Sequence, residues 1–287
     1  MKYDTVIIGS GVAGLTAALY LARANKSVLI IEDSIIGGTT ATLDLIENYP
    51  GYESISGNEL VSKMFMQVSK LGVNVNFMSI NSIDFNNCIV STTETNIEYK
   101  TLIIASGTSV KKLNIDTEKQ FLFKGLSYCA VCDGSLYKNK DIVVVTNGLT
   151  GKSSIDYLEN ITNNITVVDY SNKFTSNKFE TISNSQIVKI NGQNRIESVD
   201  IRLDNGDIIN KSCSAVFVGL GKETNLKLYD KLNKKDGYLK TDENMRTNID
   251  SVFVAGDIRY KSLRQIVTAC ADGAIAATEA IKFISNN

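Results

Sequence analysis

Histidine and tryptophan are absent from the 287 residues of this chain, and proline occurs once. Without histidine the usual nitrogen ligand of zinc is missing, so a zinc site would need further cysteines. The chain has five cysteines, but only Cys129 and Cys132 stand close together and no second C-x-x-C pair accompanies them. We therefore expect no metal site.

An excess of charge of one sign is also absent, because 30 Lys and Arg residues balance 31 Asp and Glu residues. A net charge of -1 predicts no general attraction to nucleic acid or to an anionic membrane. No apolar run approaches the roughly 18 residues that span a bilayer, and Met1–Asp4 leads into a strand rather than a signal peptide. The few cysteines fit a reducing compartment, so we expect a cytoplasmic protein.

The stretch Ser127–Gly134 carries the clearest chemistry. Two cysteines in C-x-x-C spacing can close a disulfide, and the spacing lowers the pKa of one thiol, whose thiolate is the nucleophile. A zinc half-site, a structural disulfide and a chance pair of buried cysteines are the competing interpretations, and redox work is favoured. Asp133 follows directly and is the obvious proton donor and acceptor in a chain without imidazole. It could equally cap a helix, and one carboxylate could do both.

A glycine-rich turn lies near the N-terminus. Residues 3–8 predict a buried strand, Gly9–Gly14 read G-x-G-x-x-G, 15–23 predict a helix, and 27–32 predict a second strand that ends in Glu32. The glycines let the backbone approach a pyrophosphate, the helix N-terminus attracts its charge, and an acid at that distance can bind a ribose hydroxyl. The pattern predicts a dinucleotide site; the alternative is a glycine turn in an α/β domain without a ligand.

Several further motifs complete a family pattern. They are Gly37-Gly38 with Glu47–Gly51, Ala105-Ser106-Gly107 after an apolar strand, Cys129–Gly134, and Val254–Asp257 with Arg264-Gln265-Ile266. Together with the first turn they span nearly the whole chain, which resembles the low-molecular-weight thioredoxin reductases, flavoproteins with two dinucleotide-binding domains.

The resemblance implies an α/β fold of two Rossmann-like domains, the second inserted into the first. The FAD-binding domain would comprise 1–108 and 239–287, and the insertion, 109–238, would carry the C-x-x-C pair. The relatives reduce thioredoxin and form homodimers, so we expect both here. Cys88, Cys213 and Cys270 lie in apolar or strand contexts and are predicted to be core residues.

The resemblance also assigns FAD contacts residue by residue. The pyrophosphate, adenosine ribose, flavin and ribityl contacts would come from Gly9, Ser10, Gly11, Val12, Ala13, Gly14, Glu32, Gly37, Gly38, Thr39, Asn48, Ala105, Ser106, Gly107, Gly256, Asp257, Arg264, Gln265 and Ile266. A helix predicted at 265–284 would place its N-terminus where it stabilises a reduced, anionic flavin. Asp257 has a simpler alternative as a turn residue at a strand end.

The insertion departs from the family at its own glycine turn. Thr146–Gly151 follows a predicted strand at 141–145, but Thr146 stands where the first glycine belongs. After the next strand, Asp169–Lys173 replaces the His-Arg-Arg cluster with which relatives bind the 2′-phosphate of NADPH. A lone lysine does not replace bidentate arginines.

This departure resembles the ferredoxin-dependent flavin thioredoxin reductases, so ferredoxin is the expected electron donor. An NADPH- or NADH-dependent enzyme with an unusual site is the alternative, and Asp169 would suit the ribose of NADH. A flavin-binding protein without catalysis is the second alternative, which the intact Cys129, Cys132 and Asp133 disfavour. By resemblance, Cys132 is the sulfur that faces the flavin, Cys129 attacks thioredoxin, and Asp133 protonates the leaving thiolate.

Overall fold

The structure, a computed structural model, describes residues 1–122 and 124–286. The chain divides into two compact units, the first made of Met1–Ser109 and Thr224–Asn287 and the second of Val110–Glu223. The sequence places the return to the first unit at 239. The return comes earlier because Tyr229 and Leu232 are buried in a hydrophobic core of the first unit.

Helices and strands alternate along much of the chain. The helices are α1 (Val12–Arg23), α2 (Gly57–Ser69), α3 (Glu118–Phe121), α4 (Ala130–Asp133), α5 (Lys152–Leu158) and α6 (Ile266–Asn286). The strands are β1 (Lys2–Ile8), β2 (Val28–Glu32), β3 (Asn74–Phe77), β4 (Ile80–Asp84), β5 (Ile89–Thr92), β6 (Asn96–Ile104), β7 (Ser109–Val110), β8 (Leu126–Ser127), β9 (Ile142–Thr146), β10 (Ile165–Asp169), β11 (Glu180–Ser183), β12 (Gln186–Asn191), β13 (Ser198–Arg202), β14 (Ile208–Ser212), β15 (Ala215–Gly219), β16 (Lys222–Glu223), β17 (Lys234–Lys235), β18 (Tyr238–Leu239) and β19 (Val252–Val254).

The first unit contains a seven-stranded sheet in the order β3-β2-β1-β6-β5-β4, with β19 also paired to β6. Strands β3, β2, β1, β6 and β19 run parallel, and β5 and β4 are antiparallel additions. Strand β6 is continuous from Asn96 to Ile104, and β1 pairs with it from Glu98 to Ile104. All five residues of β2 are buried, which explains its continuous apolar run.

Helix α6 packs against α1 through small residues. Ala17 and Ala18 of α1 and Ala276, Ala277 and Ala280 of α6 belong to one buried cluster. Small side chains allow the two helix backbones to approach closely. The predicted helix at 265–284 is thereby confirmed as α6, and a Cβ on its Gly273 would lie 2.2 Å from the carbonyl oxygen of Ala13 in α1.

The second unit has its own parallel sheet in the order β11-β10-β9-β15-β8, beside an antiparallel sheet β12-β13-β14. Strands β9 and β10 are fully buried. The predicted hairpin turn at 204–206 lies between β13 and β14, where Gly206 adopts φ 89°. Strand β8 has only two residues and leads directly to the C-x-x-C pair. Each unit is thus a Rossmann-like α/β unit, and the predicted fold class is confirmed.

Three cysteines are free, and they differ in burial. Cys213 is 5% exposed, and burial raises the pKa of its thiol to about 12. Cys88 and Cys270 are only partly buried. The prediction that all three are core residues is therefore correct in full only for Cys213. Cys88 is less buried because it lies at a turn, where its φ is 55°. In the described part of the chain, no helix combines the length and the apolar character that a membrane span requires.

Candidate active site

The first glycine turn is tightly packed on one side and open on the other. Gly9 adopts φ 98°, and a Cβ there would lie 2.6 Å from the carbonyl oxygen of Ala105. A Cβ on Gly14 would lie 2.0 Å from the carbonyl oxygen of Gly9. A Cβ on Gly11 would meet no atom within 4 Å. The turn thus needs glycine for its own packing and presents open space at Gly11, where a ligand can approach.

The start of α1 suits an anion. Gly11 is the N-cap, no side chain caps the helix, and its first turn contains no acidic residue. The N–H groups of a first helical turn have no intrahelical acceptor and carry the positive end of the helix dipole. A pyrophosphate is the kind of group that such a terminus binds.

Glu32 lies beside this turn at the end of β2. Its Oε2 accepts hydrogen bonds from the backbone N–H of Ser10 at 2.8 Å and from the Ser10 hydroxyl at 2.7 Å. Its Oε1 accepts from the N–H groups of Asp33 and Ser34, both at 3.0 Å. The carboxylate is therefore held next to the turn, as the sequence predicts.

The long loop approaches the turn and the C-terminal segment. Gly37 donates its N–H to the carbonyl oxygen of Ser10 at 3.0 Å, and Gly38 and Thr39 begin a 3-10 turn. Asn48 donates from Nδ2 to Oε1 of Gln265 at 3.1 Å. Residues that are 217 positions apart are thus joined where the resemblance expects both to face the flavin.

The end of β6 brings in a residue that the sequence analysis missed. Ala105 donates its N–H to Ile8 at 2.8 Å, which fixes the backbone before Gly107. The Ser106 hydroxyl lies 3.4 Å from the hydroxyl of Tyr229. Burial raises the pKa of Tyr229 to about 12, so this hydroxyl stays protonated at neutral pH. No local signal points to Tyr229, because it is brought to Ser106 by the fold.

The segment before α6 holds a buried ionic network. Asp272 of α6 accepts hydrogen bonds from the N–H of Gly256 at 3.1 Å, from Arg259 at 3.2 Å and from Lys261 at 2.9 Å. Lys261 also lies 3.8 Å from the carboxylate of Asp257. The sequence analysis missed Asp272. An acidic residue within a helix of small apolar residues is the signal that could have found it.

Arg264 is held from two directions in the same segment. Its guanidinium lies 3.8 Å from the ring centroid of Tyr238, and its Nε donates to the carbonyl oxygen of Asp257 at 3.3 Å. Ile266 then begins α6, and Gln265 precedes it. The predicted residues Gly256, Asp257, Arg264, Gln265 and Ile266 therefore lie together around the N-terminus of this helix.

Cys129 and Cys132 form a disulfide in the second unit, with Cα atoms 5.3 Å apart. Cys129 is the N-cap of α4, and its Sγ accepts the N–H of Cys132 at 3.2 Å. Both cysteines are partly exposed, and Val131 between them is 63% exposed. An accessible disulfide on a single helical turn can undergo thiol–disulfide exchange.

Asp133 does not act as a capping side chain, because its carboxylate makes no cap hydrogen bond at the 3-10 turn that follows. Instead its Oδ2 accepts a hydrogen bond from the Ser127 hydroxyl at 2.6 Å. The capping interpretation is therefore wrong, and the carboxylate is hydrogen-bonded to the Ser127 hydroxyl, which also accepts the N–H of Cys129 at 3.0 Å. In the ranges 1–122 and 124–286, no three Cys, Asp or Glu side chains group as ligands of a metal.

The second glycine turn is filled from within the protein. Thr146 donates its hydroxyl to the carbonyl oxygen of Gly148 at 2.7 Å and accepts the N–H of Gly151 at 2.9 Å. A Cβ on Gly148 would lie 3.2 Å from both the Lys173 Cβ and the Ser171 Oγ. The loop after β10 therefore lies against the turn.

Asp169 uses both carboxylate oxygens in this arrangement. Oδ1 accepts the N–H groups of Gly148 at 2.8 Å and Ser171 at 3.2 Å, and Oδ2 accepts those of Lys173 at 2.7 Å and Phe174 at 2.8 Å. Burial would raise the pKa of Asp169, but these backbone donors lower it overall. The carboxylate is fully buried and turned inward.

Comparison with known proteins agrees with these features. The family described as pyridine nucleotide-disulphide oxidoreductase matches residues 3–273. A thioredoxin reductase of Bacillus subtilis is 37% identical over 96% of this chain and 92% of its own length. The crystal structure of Lactococcus lactis thioredoxin reductase has a TM-score of 0.79 and 35% identity, and covers 99% of this chain and 100% of that one.

A more distant structure is that of a ferredoxin-flavin thioredoxin reductase from Clostridium acetobutylicum, with a TM-score of 0.58 and 28% identity over 100% of this chain and 99% of that one. Proteins of this kind bind FAD, and the open turn, the uncapped α1 and Glu32 fit that cofactor. The chain therefore belongs to the pyridine nucleotide-disulphide oxidoreductase family and, within it, to the flavoproteins homologous to low-molecular-weight thioredoxin reductases.

Proposed function

We propose that the protein reduces thioredoxin with electrons that come from reduced ferredoxin and pass by way of FAD to the Cys129–Cys132 disulfide. Thioredoxin is the proposed substrate because full-length relatives carry its name. FAD, when bound, can take up single electrons and give them on in pairs, which suits a one-electron donor and a two-electron disulfide.

The first unit supplies the residues that we assign to FAD. The pyrophosphate would lie on Gly9–Gly14, the adenosine ribose beside Glu32 and the ribityl chain beside Asp257. Gly37, Gly38, Thr39, Asn48, Ala105, Ser106, Gly107, Gly256, Arg264, Gln265 and Ile266 would complete the contacts. The open space at Gly11 and the uncapped helix support the pyrophosphate assignment.

Charge near α6 supports the flavin assignment. Three cations, Arg259, Lys261 and Arg264, accompany two carboxylates, Asp257 and Asp272, before and in the first turns of the helix. Their excess of positive charge and the helix N-terminus both favour an anionic ligand. A reduced flavin that carries negative charge would be stabilised there.

The second unit supplies the exchange chemistry, which we assign as follows. In the dithiol form, the Cys129 thiol gives its proton to the Asp133 carboxylate and its thiolate attacks the thioredoxin disulfide. The thioredoxin sulfur that leaves takes the proton from Asp133. Cys132 then gives up its proton and attacks the Cys129 sulfur of the mixed disulfide. The bond from Cys129 to thioredoxin breaks, the second thioredoxin sulfur takes up the proton that Cys132 lost, and thioredoxin is released as a dithiol while the Cys129–Cys132 disulfide reforms.

The observation that carries the choice of donor is the filled turn at Thr146–Gly151. A nicotinamide dinucleotide needs an open glycine turn for its pyrophosphate and a carboxylate directed at a ribose. Here the turn is covered by Ser171 and Lys173, and both oxygens of Asp169 accept backbone N–H groups. The degenerate site favours a donor that does not bind in this turn.

NADPH or NADH is the second candidate donor. The family description names pyridine nucleotides, and the likeness to the Lactococcus lactis enzyme exceeds that to the ferredoxin-flavin enzyme in TM-score, 0.79 against 0.58. An NADH site would require Asp169 to exchange its backbone partners for a ribose hydroxyl.

Anaerobic stopped-flow mixing distinguishes the donors. The oxidised holoenzyme is mixed separately with NADPH, NADH and reduced ferredoxin, and the visible absorbance of the flavin is recorded. We expect bleaching with ferredoxin only. Fast bleaching by NADPH or NADH would overturn the ferredoxin proposal and leave disulfide reduction in place. If no donor bleaches the flavin, the third interpretation, a flavin-binding protein without catalysis, would be favoured.

The remaining predictions concern assembly and location. We propose that the second unit, Val110–Glu223, functions as the inserted domain with the degenerate nucleotide site, and that the protein is a homodimer in the cytoplasm. Light scattering coupled to size-exclusion chromatography checks the dimer, because a mass close to 31.4 kDa would show a monomer instead.

A further inference from the structure

We propose that Ser127 is a positioning residue that holds Asp133 ready for proton transfer at the redox disulfide. The inference rests on the proposed role of Asp133 in thioredoxin reduction. Ser127 lies outside the C-x-x-C-Asp motif, and its proposed role is to orient the Asp133 carboxylate.

The hydroxyl of Ser127 lies at the centre of three contacts. It donates to Oδ2 of Asp133 at 2.6 Å and accepts the N–H of Cys129 at 3.0 Å. The carbonyl oxygen of Cys129 lies 3.1 Å away. A hydroxyl has one proton and two lone pairs, and the shorter contact, to the carboxylate, takes the proton. One side chain therefore ties the acid to the backbone of the attacking cysteine.

Ser127 is buried in the sheet, whereas the groups that it holds lie on a short, partly exposed helix. It is 5% exposed, and it pairs with Phe217 as the last residue of β8 in the parallel sheet. Asp133 and the two cysteines are partly exposed on α4, which has only four residues. A single helical turn is marginal by itself. The sheet thus fixes the carboxylate through Ser127.

The hydrogen bond has a direct effect on proton transfer. A donor to a carboxylate favours its ionised form, which is the form that can take the proton of Cys129. Tyr137 lies within electrostatic range of this acid: burial chiefly raises the pKa of Tyr137, Arg195 lowers it, and Asp133 raises it further. Loss of Ser127 would free the carboxylate to rotate away from the backbone of Cys129.

Single-turnover exchange tests this without dependence on the electron donor. The holoenzyme is reduced with dithiothreitol, freed of it, and mixed anaerobically with oxidised thioredoxin, whose fluorescence reports its reduction. We expect Ser127→Ala to slow the exchange about tenfold, as the loss of a hydrogen bond to a charged group would. The thioredoxin concentration for half-maximal rate should stay unchanged, because Ser127 is proposed to act on the transfer step and not on thioredoxin binding.

Two comparisons keep the result specific. Asp133→Asn should slow exchange, and the Ser127→Ala, Asp133→Asn double variant should be no slower than Asp133→Asn alone, because Ser127 acts through Asp133. Ser127→Thr keeps a hydroxyl and should keep most of the exchange rate. Ser127→Val has the shape of threonine but no hydroxyl, and should be as slow as Ser127→Ala. FAD content and thermal midpoint show whether each variant is folded.

The outcomes separate the two proposals. If Asp133→Asn exchanges at the wild-type rate, the proposed role of Asp133 fails and this inference fails with it. If Asp133→Asn is slow but the losses multiply in the double variant, or if the Thr and Val variants behave alike, only the inference about Ser127 is overturned.

Discussion

The two glycine turns of this chain occupy the same place in two similar units and are built in opposite ways. In the first, the positive φ falls on Gly9 and a twelve-residue helix begins at Val12. In the second, the positive φ falls on Gly148, and a 3-10 turn precedes α5, which has seven residues. The first presents an open, uncapped helix start; the second closes on itself.

Each turn has an acidic residue beside it at the end of the next strand, Glu32 in the first unit and Asp169 in the second. Glu32 has one more methylene than Asp169 and spreads its hydrogen bonds over Ser10, Asp33 and Ser34 beside an open turn. Asp169 is drawn inward by four backbone N–H groups. Both carboxylates accept backbone N–H groups on both oxygens, so the neighbouring turn is what separates them: it is open beside Glu32 and covered by Ser171 and Lys173 beside Asp169.

The largest effect is expected from blocking the first turn. Gly14→Val places a side chain against the carbonyl oxygen of Gly9, so the turn cannot keep its form and FAD should be lost. Gly148→Ala introduces a side chain at the matching turn, at a residue with φ 68°, and should cost about 1 kcal/mol of stability while FAD is retained. Flavin absorbance per mole of protein measures both. Full flavin content in Gly14→Val would contradict the assignment of the first turn.

The second effect concerns the two acids. Asp169→Ala leaves four backbone N–H groups without their acceptor and should lower the free energy of unfolding by about 3 kcal/mol. Glu32→Ala should instead weaken FAD binding, measured by equilibrium titration of the flavin-free protein. If Asp169→Ala is as stable as the wild type in urea denaturation, the carboxylate is not the support that its contacts indicate.

The pH dependence of the free energy of unfolding should differ between the wild type and the Asp169→Asn variant. Because the folded-state pKa of Asp169 is lowered, the carboxylate contributes stability above its unfolded pKa of about 3.9, and this contribution is lost as the pH falls through the folded value. Urea denaturation from neutral pH to about pH 3 should therefore show a steeper loss for the wild type than for Asp169→Asn. Parallel curves would mean that Asp169 titrates alike in both states.

The smallest effect is expected from restoring the missing glycine. Thr146→Gly removes the hydroxyl that binds Gly148 and Gly151, yet Ser171, Lys173 and Asp169 still fill the turn. NADPH should continue to leave the flavin oxidised, with a stability loss of about 1 kcal/mol. Bleaching by NADPH in this variant would show that one side chain alone separates the second turn from a nucleotide site.

The sequence predicts the first turn well because its signals are local. A strand, three glycines, a helix and an acid follow one another from Tyr3 to Glu32, and each has a period or a spacing that can be read directly. The loss of the first glycine at Thr146 was equally readable. What could not be read was the inward direction of Asp169, which depends on how the next loop folds back.

Other features of the site depend on tertiary packing. Tyr229 meets Ser106 across 123 positions of the sequence, and Asn48 meets Gln265 across 217. Ser127 is close to Asp133 in sequence, but its hydrogen bond depends on where β8 ends. Residue types and spacings can name the reacting groups, whereas the side chains that orient them emerge only from the fold.

Cys213 has a consequence for fidelity. Besides the reactive pair, it is the sole thiol of the second unit's sequence, and its seclusion keeps it a poor nucleophile at neutral pH. A protein whose task is to swap sulfur–sulfur bonds must not scramble its own. Because the Cys213 thiol does not react, disulfide exchange in the second unit is confined to Cys129 and Cys132.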